Sequence, residues 1–276
     1  MNEQKQKELD LSIIIISTNE GHYLERCLQS IFSHKHNFSF ECIVIDNGST
    51  DNTWELITKK FTNPEIKAIK NEKKLGFIEN NNIGIEMAKG KYILLLNPDT
   101  ILKPDTLEKM IEFMDKTPDA AVATCKIYFP TGEIQHNVRS FPTPLTYFIR
   151  ILHIDKIFPN LKTVRKYLLK DFDRNKNSQV DWFITAFFFM RKKAVEELGV
   201  LDKNLTQPFY CEDLEWCFRA KINGWKAYYV AETDIIHDYQ QDSRKRINKL
   251  TFVHLINILK FYKKHWKSYL TGEYKK

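Results

Sequence analysis

Four carboxylates stand where a carboxylate could do chemistry: Asp46, Asp99 and the adjacent pair Glu212 and Asp213. Asp99 follows Tyr92-Ile93-Leu94-Leu95-Leu96, a run with no polar face that predicts a strand buried on both sides, as in a parallel sheet. Pro98 cannot donate to a sheet ladder and ends the strand there. The carboxyl ends of such strands are where open α/β sheets take ligands, and an aspartate there can hold a divalent cation against a phosphate. Asp46 ends a second run of the same kind. Glu212 and Asp213 open a helix, where the dipole favours the ionised form, and an ionised carboxylate in a cleft can take the proton of a hydroxyl. Each placement also suits a plain turn or cap residue, so the surrounding elements must decide.

Those elements alternate. Leu11 to Ile16 predicts a buried strand ending in Ser17-Thr18-Asn19-Glu20, which opens a helix over 22–32 with Leu24, Leu28 and Ile31 on one face. Glu41 to Asp46 predicts a strand, Asn47 to Asp51 a tight turn, and Trp54, Ile57 and Phe61 a helix. Ile66 to Ile69 reads as a short strand, and Leu75-Gly76-Phe77 starts a helix to Ala88 that leads back, through Gly90, to the strand before Asp99. Four strand-helix alternations in a hundred residues predict a doubly wound α/β half with right-handed crossovers. Beyond Asp99 the pattern loosens. A helix over 105–116, a strand over 121–128, a hairpin at Thr131-Gly132 and a return strand over 134–139 are expected, and then an irregular or helical excursion over 142–172. Val180 to Met190 reads as one strand feeding a helix over 193–198, and a helix over 212–222 precedes a last strand over 225–230.

Composition narrows the function classes. At 276 residues, 43% hydrophobic and 28% charged, the chain can bury a large core, and no stretch approaches eighteen uninterrupted apolar residues. The polar start, Met1 to Asp10, has no apolar core of a secretory signal, so a cytoplasmic location is expected. Five cysteines, none in a Cys-x-x-Cys pair, read as reduced core residues and not as a disulfide framework or zinc site. The net charge of +7 permits nucleic acid, anionic lipid or phosphorylated small molecules without choosing among them. No Gly-x-Gly-x-x-Gly occurs, which argues against a dinucleotide site, and Gly84 to Lys91 fails as a P-loop in spacing and position. A Gly-x-Ser-x-Gly elbow and the paired histidines of zincins are also missing.

Five stretches in order carry a family resemblance: Ile13 to Asn19, Val44 to Asp51, Leu75-Gly76-Phe77 with Asn81 to Gly84, Leu94 to Thr100, and Tyr210 to Asp213. Together they resemble the family 2 glycosyltransferases, in particular a rhamnosyltransferase-like branch with Asn-Pro-Asp in place of Asp-x-Asp, over roughly Leu11 to Ser243. The resemblance implies an α/β GT-A fold, a mostly parallel central sheet flanked by helices. It implies inverting transfer of a hexose from a nucleotide-diphosphate donor, dTDP-rhamnose or a UDP-sugar, to a hydroxyl of a growing surface glycan or lipid-linked oligosaccharide. By position, Thr18 and Asp46 would contact the nucleotide base, with Ser49, Gly76 and Asn82 shaping its pocket. Asn97 stands in the metal motif, where Asp99 would bind Mg²⁺ or Mn²⁺ across the diphosphate, with His237 near the metal. Asp213 would be the general base, with Glu212 beside it, and Trp182 and Thr185 would face the acceptor.

The sequence departs from the family in three places. Asn97 cannot supply a first metal carboxylate, Asn81 stands where many relatives have arginine, and Thr185 takes a place usually held by glycine. The reading divides the chain into a polar tail (1–10), a nucleotide-sugar half (11–100), an acceptor and catalytic half (101–243) and a basic amphipathic helical segment (244–276). That last segment, with Ile247, Leu250, Val253, Ile256, Leu259 and Trp266 among lysines and arginines, would either pack on the domain or meet an anionic membrane on the inner face of the cell envelope. No nucleic acid partner is expected. Two other readings stand beside the transferase. A nucleotidyltransferase would carry a glycine-rich basic loop after the first strand, which Ser17 to Glu20 is not. The other is an inactive sugar-nucleotide-binding scaffold, against which Asp99 and Asp213 argue.

Overall fold

The computed structural model describes residues 9–152, 154–205, 211–238 and 249–272; Tyr210, Arg244 and Ile247 lie outside them. Eleven strands, ten α-helices and one π-helical turn are described. The first half alternates as the sequence predicts: β1 (Leu9–Ser17), α1 (Gly21–Phe32), β2 (Phe40–Asp46), α2 (Thr53–Glu55), β3 (Ile66–Lys70), α3 (Phe77–Met87) and β4 (Gly90–Leu96). These strands lie parallel in the order β3-β2-β1-β4. Ile13, Ile14, Ile15 and Leu94 are fully buried, and each such side chain contributes roughly 1.5–3 kcal/mol over its exposed state. Helix α3 lies so close to β1 that a Cβ at Gly84 would stand 2.4 Å from Ile14, a contact only glycine allows.

The second half supplies β5 (Thr100–Leu102), α4 (Thr106–Lys116), β6 (Ala120–Tyr128), β7 (Val138–Arg139), α5 (Pro144–Ile151), α6 (Ile154–Ile157), α7 (Lys162–Tyr167), β8 (Ser178–Val180), β9 (Trp182–Phe183), β10 (Phe187–Arg191), α8 (Lys192–Leu198), α9 (Glu212–Ile222), β11 (Lys226–His237) and α10 (Lys249–Thr271). The main sheet continues past β4 as β10-β6-β11-β5. Strand β10 is antiparallel to both its neighbours, while β6 and β11 are parallel.

Four expectations are corrected. The helix expected through Phe61 is a short α-turn that widens into a π-helical turn, Leu56–Lys60, closed by the Phe61 N–H on the Leu56 carbonyl; this buries Leu56 and Ile57 together. The return strand over 134–139 does not form beside β6, because β10 and β11 already occupy both edges of β6. The segment makes one bridge, Ile134 to Tyr128, and then β7 pairs with β9 in a separate two-stranded sheet. The single strand over 180–190 is three strands, β8 paired with β11, β9 with β7, and β10 with β4 and β6, and a largely apolar run hides such breaks. The last strand does not stop at Val230. An irregularity between Val230 and Asp234 absorbs the polar Glu232 and Thr233, and β11 runs on to His237.

The C-terminal helix α10 packs its inner face, Ile258, Phe261 and His265, against α9, where Phe218 meets Phe261 and Tyr269. Among the described residues no helix is long and apolar enough to cross a membrane.

Candidate active site

A cavity of about 1420 Å³ opens at the carboxyl ends of β1 and β4 and is walled on its far side by residues of β7, α5 to α7 and the start of α9. Of the residues singled out from the sequence, Thr18, Gly76, Asn97, Asp99, Trp182, Thr185, Glu212, Asp213 and His237 line it. Asp46, Ser49 and Asn82 do not. Asn82 is locked elsewhere: its amide accepts from the Leu201 N–H at 3.0 Å and donates to the Leu201 carbonyl at 2.9 Å, so it fastens α3 to the loop after α8. Ser49 joins two loops, its hydroxyl accepting from the Asn19 N–H at 3.0 Å. Asp46 is wholly buried behind the wall; Oδ1 accepts from the Ser49 N–H at 3.2 Å, and Oδ2 has no hydrogen-bond partner among the described residues. In the wall itself, Asn47 pins the loop that carries Gly76. Its Oδ1 accepts from the Leu75 N–H at 2.8 Å and its Nδ2 donates to the Leu75 carbonyl at 3.1 Å.

Asp99 and His237 are distant in sequence and adjacent in space because the corrected length of β11 brings them together. Strand β11 runs antiparallel to β5 with His237 opposite Thr100, and the Asp238 N–H donates to the Asp99 carbonyl at 2.8 Å. His237 Nε2 then lies 3.2 Å from Asp99 Oδ1 and 3.5 Å from Asn97 Nδ2. Gln135 Oε1 stands 2.8 Å from Nδ1 and can only accept, which places the neutral ring's proton on Nδ1 and leaves the Nε2 lone pair turned toward the carboxylate. A lone pair and a carboxylate oxygen facing one another in a buried setting want a cation between them, and oxygen with imidazole nitrogen is a donor set that Mg²⁺ or Mn²⁺ accepts. The pair thus fits a divalent ion. Among the described residues no third His, Cys, Asp or Glu completes the set, so water and diphosphate oxygens would fill the remaining positions. Glu20, also on the wall, is held above the usual carboxylate range by burial and by the neighbouring Asp99 charge.

Asp213 sits in the first turn of α9, behind Cys211, a non-glycine residue at φ +72°. Its Oδ1 accepts from the Leu214 N–H at 2.7 Å, and the Thr185 N–H also reaches the carboxylate. Burial pushes it up to about 6 nonetheless, with these N–H groups and the more distant Arg139 guanidinium drawing the other way. The Trp182 indole is turned out of reach of any ligand's oxygens, its N–H donating to the Ser140 carbonyl at 2.9 Å, so only its ring contributes to the wall.

The cavity also holds residues the sequence reading passed over. Gln135 and Arg139 lie in the stretch expected to be a plain return strand, and Arg150, Lys156, Arg165 and Lys170 lie in the excursion read as irregular. Four polar residues among the six of an expected strand, and six lysines and arginines against one acid over 144–170, were the available signals.

The family model described as Glycosyl transferase family 2 matches residues 12–199. The chain is 27% identical over 195 residues to rhamnosyltransferase WbbL of Escherichia coli (strain K12), a match spanning 67% of this chain and 69% of that protein. Among solved structures, GalNAc-T7 with UDP, GalNAc and Mn²⁺ superposes with a TM-score of 0.70 at 18% identity, covering 95% of this chain and half of that one. S. aureus TarS 1-349 in complex with UDP-GlcNAc superposes with a TM-score of 0.59 at 16% identity, covering 94% of this chain and 73% of that one. At such identities the likeness speaks for the fold, which is GT-A.

Proposed function

We infer the reaction from a plain premise: the chain belongs to glycosyl transferase family 2, and is an inverting glycosyltransferase that moves a sugar from a nucleotide donor. This membership removes the nucleotidyltransferase and inactive-scaffold readings. Within that reaction we assign the donor, a nucleotide-diphosphate sugar such as dTDP-rhamnose or a UDP-sugar, to the wall formed by Thr18, Asn47 and Gly76. The unpartnered Asp46 Oδ2 just behind it would accept the imide N–H of thymine or uracil. Asp99 and His237 would hold Mg²⁺ or Mn²⁺, which when bound offsets charge on the departing diphosphate. The acceptor is a hydroxyl of a growing surface glycan or lipid-linked oligosaccharide, entering between Trp182, Thr185 and the α5 to α7 wall.

Asp213 is the general base. It takes the acceptor hydroxyl proton as that oxygen bonds to the anomeric carbon from the face opposite the leaving group. The bond from the anomeric carbon to the phosphate oxygen breaks with its electron pair kept by the diphosphate, which inverts the centre. A carboxyl raised to about 6 is ionised at neutral pH yet more basic than a solvated aspartate, as general-base chemistry near pH 7 favours. The observation that carries the reading is that this raised carboxylate and the Asp99–His237 pair line one cavity. The test is a panel of UDP-, GDP- and dTDP-sugars, with and without Mn²⁺, read by thermal shift and free nucleotide release. One nucleotide class should raise Tm in a Mn²⁺-dependent way, and Asp99→Ala should abolish the shift. No shift with any sugar nucleotide would overturn the donor assignment, and a shift untouched by Asp99→Ala would overturn the metal assignment.

A further inference from the structure

Among the described residues, ten of the twelve large apolar side chains left exposed lie between Leu145 and Leu161 or on α10. On α10 they form one outward stripe, Phe252, Ile256, Leu259 and Trp266, at helical spacing, opposite the buried Ile258, Phe261 and His265. Along α5 and its C-cap, Leu145, Phe148 and Leu152 do the same while Thr146, Tyr147 and Ile149 turn inward. The two elements are packed together: the Tyr147 hydroxyl is 2.9 Å from His254 Nε2, and the Tyr262 hydroxyl donates to the Pro142 carbonyl at 2.8 Å. Ile157, at 71% exposure, continues the apolar surface from α6. A patch of this kind on an otherwise polar molecule marks a docking surface.

Its charge says what docks there. Residues 144–170 and 249–271 carry eleven lysines and arginines against one acid, Asp155; with them set aside, 31 basic residues face 34 acidic ones, so the chain's net positive charge comes from these two segments. Lys156, Lys162, Lys166, Lys263 and Lys267, all within these two segments, are exposed. A symmetric dimer through this face would set like charges against like. An anionic bilayer offers what the face lacks, acyl chains for the stripes and negative head groups for the lysines. With no helix able to span, the contact lies along the surface.

We propose that the α5–α6 and α10 face docks on an anionic phospholipid bilayer, setting the mouth of the cavity at the membrane. Asp155 and Lys156 of α6 and His254 and Leu255 of α10 line that cavity, so the docked face borders the acceptor side. A lipid-anchored acceptor then reaches Asp213 without leaving the bilayer. This consequence rests on the transfer proposed above; the docking does not, and its assay needs no donor.

The test is flotation of the full chain with phosphatidylcholine vesicles, with and without 30% phosphatidylglycerol, at low and high salt. Partition should be on the order of tenfold stronger on the anionic vesicles and fall with salt. Phe148→Ser with Phe252→Ser should reduce it by about tenfold, and Lys263→Glu with Lys267→Glu should do the same on anionic vesicles only, each with an unchanged melting curve. Tryptophan emission should shift to the blue on docking, and Trp266→Phe should remove the shift. Absence of flotation, or equal flotation on neutral and anionic vesicles, would overturn the proposal. So would a dimer in analytical ultracentrifugation that the serine variants dissociate, because a second copy would then cover the face.

Discussion

Asp213 and Glu215 stand two residues apart at the start of α9, both buried, one turned to the cavity and the other to the C-terminal helix. Around Glu215 the chain has gathered cations. Lys264 Nζ is 2.7 Å and His265 Nε2 3.1 Å from Oε1, and the Arg219 guanidinium is 2.9 Å from Oε2. Burial alone would push Glu215 up, but His265, Arg219 and Lys264 together outweigh it and hold it at about 2. Asp213 has backbone N–H donors and no ion pair among those described, and burial wins, at about 6. Glu41 repeats the first pattern at the edge of β2. Burial there is outweighed by Lys67, by the Ser12 hydroxyl donating at 2.6 Å and by the Lys89 N–H at 2.7 Å, and the group is lowered. At Glu215 and Glu41 the buried carboxylate is paired, whereas at Asp213, beside the cavity, burial leaves it more basic.

The comparison breaks most visibly at Asp213. Asp213→Asn should cut transfer by roughly 10²–10⁴-fold with donor binding retained, the range for loss of a general base. In the parent enzyme, turnover should climb with pH and level off above about 6 as the carboxyl ionises. An Asp213→Asn enzyme that kept its turnover would remove the distinction between the two faces of α9.

Glu215 should behave in the opposite way. Glu215→Ala strands three cationic side chains, and breaking such a buried set costs about 3–5 kcal/mol; the lower end is expected because Lys264 is half-exposed and keeps Asp202 at 2.7 Å. Denaturant melts should record that loss while turnover per folded molecule stays near the parent's. For Asp213 the sign reverses. Its folded-state value lies above the unfolded one, so the stability it lends is greatest below about pH 4 and is lost as pH rises through 6. Asp213→Asn should therefore be more stable than the parent at pH 8, by up to about 3 kcal/mol, and less so at pH 5.

The sequence was readable where each strand is a continuous apolar run flanked by caps. That covers β1, β2 and β4, the helices α1 and α3, and the positions of Asp99 and Asp213 at element ends. It was unreadable where pairing depends on which edges are already taken. Nothing local says that β6 has no free edge for the segment around Gln135, or that Ser178 to Arg191 divides into three strands with separate partners. His237 was visible as a late histidine, but its place beside Asp99 depends on the irregularity in β11, which the polar Glu232-Thr233-Asp234 disguised as an end. Asn82, which the resemblance assigns to the nucleotide pocket, bonds the Leu201 backbone 119 residues away, a partner that nothing local in the sequence announces.

Gln135 gives the finest test, because the contact it makes in the site is with a ring it orients. Buried at 5% exposure, its Oε1 holds the His237 Nδ1 proton and so directs Nε2 toward Asp99. Gln135→Leu keeps the bulk and removes the acceptor, freeing the ring to turn or change tautomer. Loss of such an orienting bond costs roughly 10–100-fold in metal affinity. The Mn²⁺ concentration for half-maximal nucleotide release should therefore rise about tenfold or more with saturated turnover little changed, and Gln135→Glu, which again offers an acceptor, should recover most of it. A Mn²⁺ curve indifferent to Gln135→Leu would mean that His237 is held for packing, and would move it from the cavity side of the comparison to the side of Glu215.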